Sequence, residues 1–206
     1  SGLIVTDNVF SMDGDRANVD GINIISEKSG TLLVQDDAHG FGIFEPTIPD
    51  HSIYMATLGK AAGVMGAFVA GSSDLIEFLI QKSRPYTYTT ATSPSMCVAT
   101  LKSLELIKKG RQKEVLFRNI NYFKNCAETL GLHFEPSESA IQPLIIGSSN
   151  MALSLSNKLF GAGYFVSAIR PPTVPPNTAR LRFTLCANHS FAQIESLLKK
   201  VKDVMA

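Results

Sequence analysis

The stretch LLVQDDAHGFG, residues 32–42, is the part of the sequence from which the fold is predicted. Its apolar first half predicts a buried β-strand that stops at Asp36, with Asp37 and His39 directly behind it. Ligands of open α/β sheets bind outside the carboxyl ends of the strands, so this position favours a functional site. A polar loop held by a hydrogen-bonded aspartate is the alternative, although the Gly-x-Gly that follows permits close approach of a ligand to the backbone.

Strands and helices alternate on both sides of this stretch. The alternation predicts a mostly parallel α/β sheet for residues 1–110 and a smaller α+β domain for residues 111–206, joined near KKGRQK, residues 108–113. Helices are predicted over 19–30, 73–83, 94–110, 111–132, 151–163 and from Ser190 onward, and strands over 3–10, 31–36, 64–72, 141–147, 164–169 and 179–186.

Composition narrows the class of protein. A net charge of +1 gives no general reason to expect nucleic acid or an anionic membrane as partner. No run of apolar residues is long enough for a transmembrane helix. The three cysteines are odd in number and far apart, and neither they nor the four histidines have the spacing of a metal site. We therefore expect a cytoplasmic protein without a metal.

Lys60 in TLGKAAG, residues 57–63, is the second candidate for chemistry. Most lysines are merely solvated, but this one follows an apolar run and is flanked by glycine and alanine, which leave room for a flat ligand. A lysine near a strand-end acid such as Asp36 is what pyridoxal 5'-phosphate requires. The acid keeps the pyridine nitrogen protonated, and the lysine holds the aldehyde as a Schiff base.

Hydroxyl groups supply candidate donors for the phosphate of such a cofactor. Ser11 in FSMDGD, Thr57 in TLGK, and Thr89 and Thr90 in YTYTTATS are the candidates. For each hydroxyl taken alone, a turn or helix cap is the favoured alternative.

Arg170 precedes a Pro-Pro pair, which predicts a stiff, extended segment. A guanidinium on a stiff segment is suited to bidentate capture of a carboxylate, and an ordinary surface position is the alternative. Arg180 and Arg182 alternate along a predicted strand, and we expect them to face solvent or to form a salt bridge.

Together these stretches resemble the α-oxoamine synthases, which are pyridoxal-phosphate enzymes of aminotransferase fold type I. The matching blocks occur in the order of the family and cover most of the chain: FSMDGD, DDAHGFG, TLGKAAG, GAFVAGS, YTTATSP and IRPPTVPPNTARLRFTL. The resemblance implies that residues 1–110 are the C-terminal part of the large cofactor-binding domain and that residues 111–206 are the small C-terminal domain.

The resemblance also implies roles for the candidate residues. Lys60 binds the cofactor and removes the α-proton of the amino acid, Asp36 pairs with the pyridine nitrogen, and His39 hydrogen-bonds the ring hydroxyl oxygen. Ser11 and Thr57 help to hold the cofactor, and Thr89 and Thr90 reach the phosphate in the neighbouring subunit of a homodimer. Arg170 binds the substrate carboxylate with Thr173 close by, and Asp7, where the family usually has glutamate, contacts the acyl substrate.

The last block, IRPPTVPPNTARLRFTL, distinguishes members of the family from one another. It favours members that condense L-alanine with pimeloyl-CoA or a pimeloyl-carrier protein. Glycine acetyltransferase, a synthase of long-chain α-amino ketones, and a non-catalytic fragment or pseudoenzyme are the alternatives. Family members are about twice as long as this chain, so we expect a missing N-terminal part and weak cofactor binding by these residues alone.

Overall fold

The structure is a computed structural model, and it describes residues 2–205. In chain order the elements are β1 (Leu3–Asp7), α1 (Val19–Ser29), β2 (Leu32–Asp36), β3 (Ser52–Thr57), β4 (Ala67–Ala70), α2 (Ser73–Lys82), α3 (Arg84–Thr87), α4 (Pro94–Lys109), α5 (Arg111–Thr129), β5 (Ile141–Gly147), α6 (Ser149–Gly161), β6 (Ser167–Ile169), β7 (Ala179–Thr184) and α7 (Phe191–Met205).

The chain divides into two compact units. The first comprises the residues up to Phe10 together with Arg16–Gly110, and the second comprises Ser11–Asp15 together with the residues from Arg111 onward. Each unit has its own sheet. The short segment Ser11–Asp15 therefore belongs to the second unit although the chain on both sides of it belongs to the first.

The first unit contains a four-stranded sheet in the order β1-β2-β3-β4. Strands β1, β2 and β3 are parallel to one another, and β4 is antiparallel to β3. Because side chains alternate between the faces of a strand, β2 buries Leu33 and Gln35 on one face and turns Asp36 to the other. The α/β class predicted for this half of the chain is confirmed.

Capping residues set the ends of the helices in this unit. The hydroxyl of Ser93 accepts a hydrogen bond from the backbone N–H of Met96 at the start of α4, and Pro94 occupies its first turn. Gly110 adopts the left-handed conformation that ends α4, and Gly30 does the same for α1. These helix limits match the predicted ones.

The second unit contains a three-stranded antiparallel sheet in the order β5-β7-β6. The central strand β7 buries Leu181 and Phe183, and Phe183 joins an aromatic cluster with Phe123 of α5 and Phe134. Helix α7 begins with a reciprocal capping box: Ser190 N–H donates to Gln193, and Gln193 N–H donates to the Ser190 hydroxyl.

Two local predictions were wrong, and one short helix was not predicted. Strand β6 covers only Ser167–Ile169 of the predicted 164–169, because Tyr164 N–H donates instead to Leu159 O at the end of α6. A short helix, Arg84–Thr87, occupies part of the Tyr/Thr-rich stretch. The segment after Arg170 is a turn and not extended, since Thr173 N–H donates to the carbonyl of Arg170 across the two prolines.

Over the described residues, no helix has both the length and the apolar character needed to cross a membrane. Cys97, Cys126 and Cys186 are free thiols, and Cys97 and Cys186 are exposed.

Candidate active site

Two carboxylates lie side by side at the carboxyl edge of the first sheet. Asp7 ends β1 and Asp36 ends β2, and the two residues are direct partners in the parallel ladder. Neighbouring partners in a sheet point to the same face, so the two acids meet on one side of it. Burial and the negative charge of Asp36 raise the pKa of Asp7, while the positive charge of Lys60 opposes this shift. The three charges therefore form one electrostatic group.

Lys60 lies on the tight connection between β3 and β4. This loop is closed by hydrogen bonds from Leu58 N–H to Gly66 O at 2.8 Å and from Val64 N–H to Leu58 O at 3.0 Å. The parallel order of β2 and β3 brings the loop to the same sheet edge as Asp36. Lys60 is exposed, and a Cβ added at the neighbouring Gly59 would touch nothing closer than 3.5 Å. The loop itself therefore does not require a glycine there.

Thr57 uses its hydroxyl within the same loop. The Oγ1 donates to Gly66 O at 3.2 Å and accepts a hydrogen bond from Gly59 N–H at 3.2 Å. This is the turn-forming role that was expected from the sequence as the alternative for this hydroxyl. A hydroxyl oxygen has two lone pairs, so a contact of Thr57 with a ligand stays a prediction.

Asp36 at the end of β2 and His39 in the loop that follows lie in successive turns of the chain. Asp36 Oδ1 accepts a hydrogen bond from Ala38 N–H at 2.9 Å, which fixes the carboxylate against its own backbone. Phe41 N–H donates to Asp37 O at 2.9 Å, so the chain around His39 is a closed turn. Asp36 and His39 are both half-buried.

A buried hydrogen-bonded group behind this loop was not recognised in the sequence. Asp37 Oδ2 accepts a hydrogen bond of 2.6 Å from the hydroxyl of Tyr54, and both side chains are buried. The side chain of Asn8 also hydrogen-bonds the Asp37 carboxylate. Burial raises the pKa of Asp37 in spite of these two donors, and raises that of Tyr54 as well. The group links the ends of β1 and β2 to β3.

Helix α4 supports the loop between β3 and β4 that carries Lys60, called the lysine loop below. The hydroxyl of Ser103 donates to the carbonyl of Ala62 at 2.5 Å, and Ala62 is buried. A Cβ at Gly42 would approach Ile107 of the same helix to 3.1 Å. Thus α4 contacts both the lysine loop and the loop after β2.

Thr89 and Thr90 lie in the first unit, in the irregular segment between α3 and α4, and both are exposed. Their hydroxyls are therefore accessible to a ligand or to another subunit.

The remaining predicted site residues lie in the second unit. Ser11 is half-buried, and its backbone carbonyl accepts a hydrogen bond of 2.9 Å from Arg182. Arg170 follows β6 directly, and Arg170 and Thr173 are exposed at the two ends of the proline turn. The prediction that Arg180 forms a salt bridge is confirmed, since it pairs with Asp13, but the solvent-facing alternative is wrong because Arg180 is buried.

Comparison with known proteins covers nearly all of the chain. A family model described as aminotransferase class I and II matches residues 1–201. The 8-amino-7-oxononanoate synthase of Saccharophagus degradans is 46% identical over 98% of this chain and 54% of its own length. That of Stutzerimonas stutzeri is 47% identical over 99% of this chain and 55% of its own length. The chain spans about half the length of the curated relatives it matches.

Solved structures also superimpose on nearly all of the chain. An 8-amino-7-oxononanoate synthase from Francisella tularensis superimposes with a TM-score of 0.82 and 30% identity, covering 98% of this chain and 62% of the other. A serine palmitoyltransferase from Sphingomonas wittichii superimposes with a TM-score of 0.89 and 27% identity, covering 98% of this chain and 54% of the other.

Proposed function

This chain belongs to the class I and II aminotransferase family, and from that membership we propose that it is the C-terminal part of an 8-amino-7-oxononanoate synthase. The proposed reaction condenses L-alanine with the thioester of pimeloyl-CoA or a pimeloyl-carrier protein. It releases carbon dioxide and the free thiol and yields 8-amino-7-oxononanoate, an intermediate of biotin synthesis. The cofactor is pyridoxal 5'-phosphate, and the location is the cytoplasm.

The electrostatic group of Asp7, Asp36 and Lys60 is the observation that carries the proposal. An acid and an amine at one sheet edge supply the two groups that pyridoxal phosphate chemistry requires of a protein. The raised pKa of Asp7, with opposite contributions from Asp36 and Lys60, supports their proximity. Ionisable groups whose pKa is shifted by burial together with specific neighbouring charges are typical of functional sites.

The residues present fit this cofactor. Asp36 has one carboxylate oxygen that accepts a hydrogen bond from the Ala38 N–H, and its other oxygen would pair with the protonated ring nitrogen. The neighbours of Lys60 leave open space on the loop, as the room for a Cβ at Gly59 indicates. When bound, the cofactor supplies an electron sink that stabilises a carbanion at the α-carbon of the amino acid.

The chain's own residues then orient the reactants and move the protons. Lys60 would hold the cofactor through its side-chain amine, and the same amine would serve as the base that takes the proton from the alanine α-carbon. Asp36 would pair with the ring nitrogen of the cofactor. His39 donates to or accepts from the ring hydroxyl oxygen and so adjusts the electron demand of the ring.

Substrate and subunit contacts complete the proposal. The exposed Arg170 binds the alanine carboxylate in bidentate fashion beside Thr173, and Asp7 contacts the acyl substrate. Ser11 and Thr57 contribute hydroxyls to the cofactor. The exposed Thr89 and Thr90 reach the phosphate in the other subunit of a homodimer.

Sequence identity favours this substrate pair over that of other relatives. Identity to the 8-amino-7-oxononanoate synthases reaches 47%, whereas the serine palmitoyltransferase structures share 25–27% despite their high TM-scores. Backbone similarity is common to the whole family, and substrate choice depends on side chains.

The proposal is tested by assay of the complete protein, of which this chain is the C-terminal part, with pyridoxal phosphate, L-alanine and pimeloyl-CoA, measuring free thiol and aminoketone. We expect turnover with this pair and little with glycine and acetyl-CoA. The Lys60→Ala variant should lose at least about a hundredfold in turnover, because the proton transfer loses its base. It should also lose covalent retention of the cofactor after borohydride reduction.

The control is Lys82→Ala, which removes an exposed lysine from the last turn of α2. Turnover by Lys60→Ala at the wild-type rate would overturn the mechanism. Preference for glycine and acetyl-CoA would overturn the substrate assignment and leave the family unchanged.

A further inference from the structure

The segment Ser11–Asp15, called the strap below, has an unusual place in the chain. Its two ends are held together in the first unit, where Val9 and Arg16 form an antiparallel bridge and Ala17 N–H donates to Asn8 O at 3.1 Å. The strap itself belongs to the second unit. The contacts that hold it there come from the central strand β7 and from the loop before β5.

Two arginines on one face of β7 bind the strap at two points. Arg180 pairs with the carboxylate of Asp13, and its Nε donates to the carbonyl of Thr178 at 3.1 Å. Arg182 donates from NH1 to the carbonyl of Ser11 at 2.9 Å. The side chain of Arg180 is only 6% exposed, so its charge is stabilised by these partners and not by water.

A third attachment lies at Gly14. The buried hydroxyl of Ser137 donates to Gly14 O at 2.9 Å. A Cβ at Gly14 would lie 2.5 Å from the Ser137 hydroxyl and 2.6 Å from Ile141 O, and the residue has a φ of +72°. Both the close approach and the left-handed backbone require glycine. The strap is therefore fixed along its length.

We propose that Arg180 and Arg182 are positioning residues that set the place of Ser11 through the strap. This rests on the proposed function, in which the Ser11 hydroxyl contacts the cofactor. Arg182 binds the backbone carbonyl of Ser11, so it orients the residue without using the hydroxyl. Arg180 fixes the chain two residues further on, at Asp13. The two arginines thus leave the hydroxyl available while restricting the backbone that carries it.

The test compares Arg182→Met with the wild-type protein. Methionine retains much of the apolar stem of arginine and removes the donor. We expect amide hydrogen exchange in the peptide containing the strap to accelerate about tenfold, since a charge-assisted hydrogen bond is lost. Pyridoxal phosphate, titrated by absorbance, should bind several-fold more weakly. Arg182→Lys should recover much of both, because one donor suffices for one carbonyl.

A second variant distinguishes the loss of the strap contacts from misfolding of the Arg182→Met protein. The double change Asp13→Asn with Arg180→Met removes the ion pair without leaving a buried charge unpaired. It should also accelerate exchange in the strap. Arg118→Met, on the exposed side of α5, is the matched control and should change neither exchange in the strap nor cofactor binding.

Unchanged exchange of the strap in both variants overturns the proposal. The proposal is also overturned if the strap exchanges faster in these variants while they bind the cofactor normally, provided that Ser11→Ala weakens cofactor binding. If Ser11→Ala does not weaken cofactor binding, the assignment of Ser11 in the proposed function is wrong. The exchange measurement then still decides whether the arginines hold the strap.

Discussion

Asp7 is the residue whose ionisation reports most directly on the candidate site. Its carboxylate is partly buried beside Asp36, and Lys60 lies close enough to influence it. Burial and a like charge both disfavour the ionised form, so they raise the pKa of Asp7, and the lysine acts in the opposite direction. Two single substitutions should therefore move this pKa in opposite directions.

The Lys60→Ala variant should raise the pKa of Asp7, because the favourable positive charge is removed. The Asp36→Asn variant should lower it, because the like charge is removed and a polar group of similar size remains. The measurement is an NMR titration of the side-chain carboxyl of Asp7 in the protein without added cofactor. Equal pKa values in both variants and wild type would show that the three charges do not interact.

Asp37 differs from its neighbour Asp36 although the two are adjacent in sequence. Asp36 points to the half-exposed face of the sheet, whereas Asp37 is buried and bonded to Tyr54 and Asn8. One carboxylate is therefore available for a ligand and the other stabilises the loop. The two adjacent acids take these separate roles because successive side chains point to opposite faces, and Asp37 continues the buried face of Leu33 and Gln35.

At the scale of elements, helix α4 is the support of the lysine loop. The hydroxyl of its Ser103 donates to Ala62 O in that loop, and a Cβ at Gly42, in the loop after β2, would approach its Ile107 to 3.1 Å. The caps at Ser93 and Gly110 set where the helix begins and ends. The position of Lys60 therefore depends on a helix that begins more than thirty residues later, from Pro94.

The Ser103→Ala variant should loosen the lysine loop selectively. Loss of this hydrogen bond should cost about 1 kcal/mol, and the amides of Gly63 and Val64 should exchange faster. The matched control is Lys102→Ala, which breaks an exposed ion pair with Glu105 on the same helix and should have little effect. Equal exchange of the loop in both variants would contradict a supporting role for α4.

At the scale of the whole molecule, the two units have separate cores. The first unit buries Leu33, Tyr54 and Ala56 in its sheet. The second buries Phe123 and Phe183, which cluster with the half-buried Phe134, and the ring centroids of Phe123 and Phe134 are 4.8 Å apart. A core of this kind is most sensitive to loss of its largest side chain.

The Phe123→Ala variant should lower the free energy of unfolding of the second unit by about 3–5 kcal/mol, because it removes a fully buried ring and leaves a cavity. Chemical denaturation measures the loss, and hydrogen exchange locates it. We expect faster exchange in β5, β6 and β7. The control is Phe165→Ala, which removes a ring that is 85% exposed and should change stability little.

Much of the fold was predictable because its signals are local. The apolar run that ends at Asp36 specifies β2, and Ser93, Pro94 and Gly110 specify the limits of α4. The block order in the sequence identified the family, and the comparisons confirm it. By contrast, the length of β6 and the turn at the two prolines are set by backbone hydrogen bonds within three to five residues, which the pattern of apolar residues does not reveal.

At the candidate site, the features of single residues and short segments were predictable from the sequence, whereas contacts between residues far apart in the sequence were not. The sequence by itself determined the residue types that pyridoxal phosphate requires, Asp36 and Lys60, and placed the acid at a strand end. Only the tertiary structure decided that Asp7 stands beside Asp36, since this depends on the register of β1 against β2. Only the tertiary structure decided that Arg180 is buried against Asp13, 167 positions away. A strand pattern specifies which side chains share a face, but the partner that covers that face is chosen when the distant segments pack together.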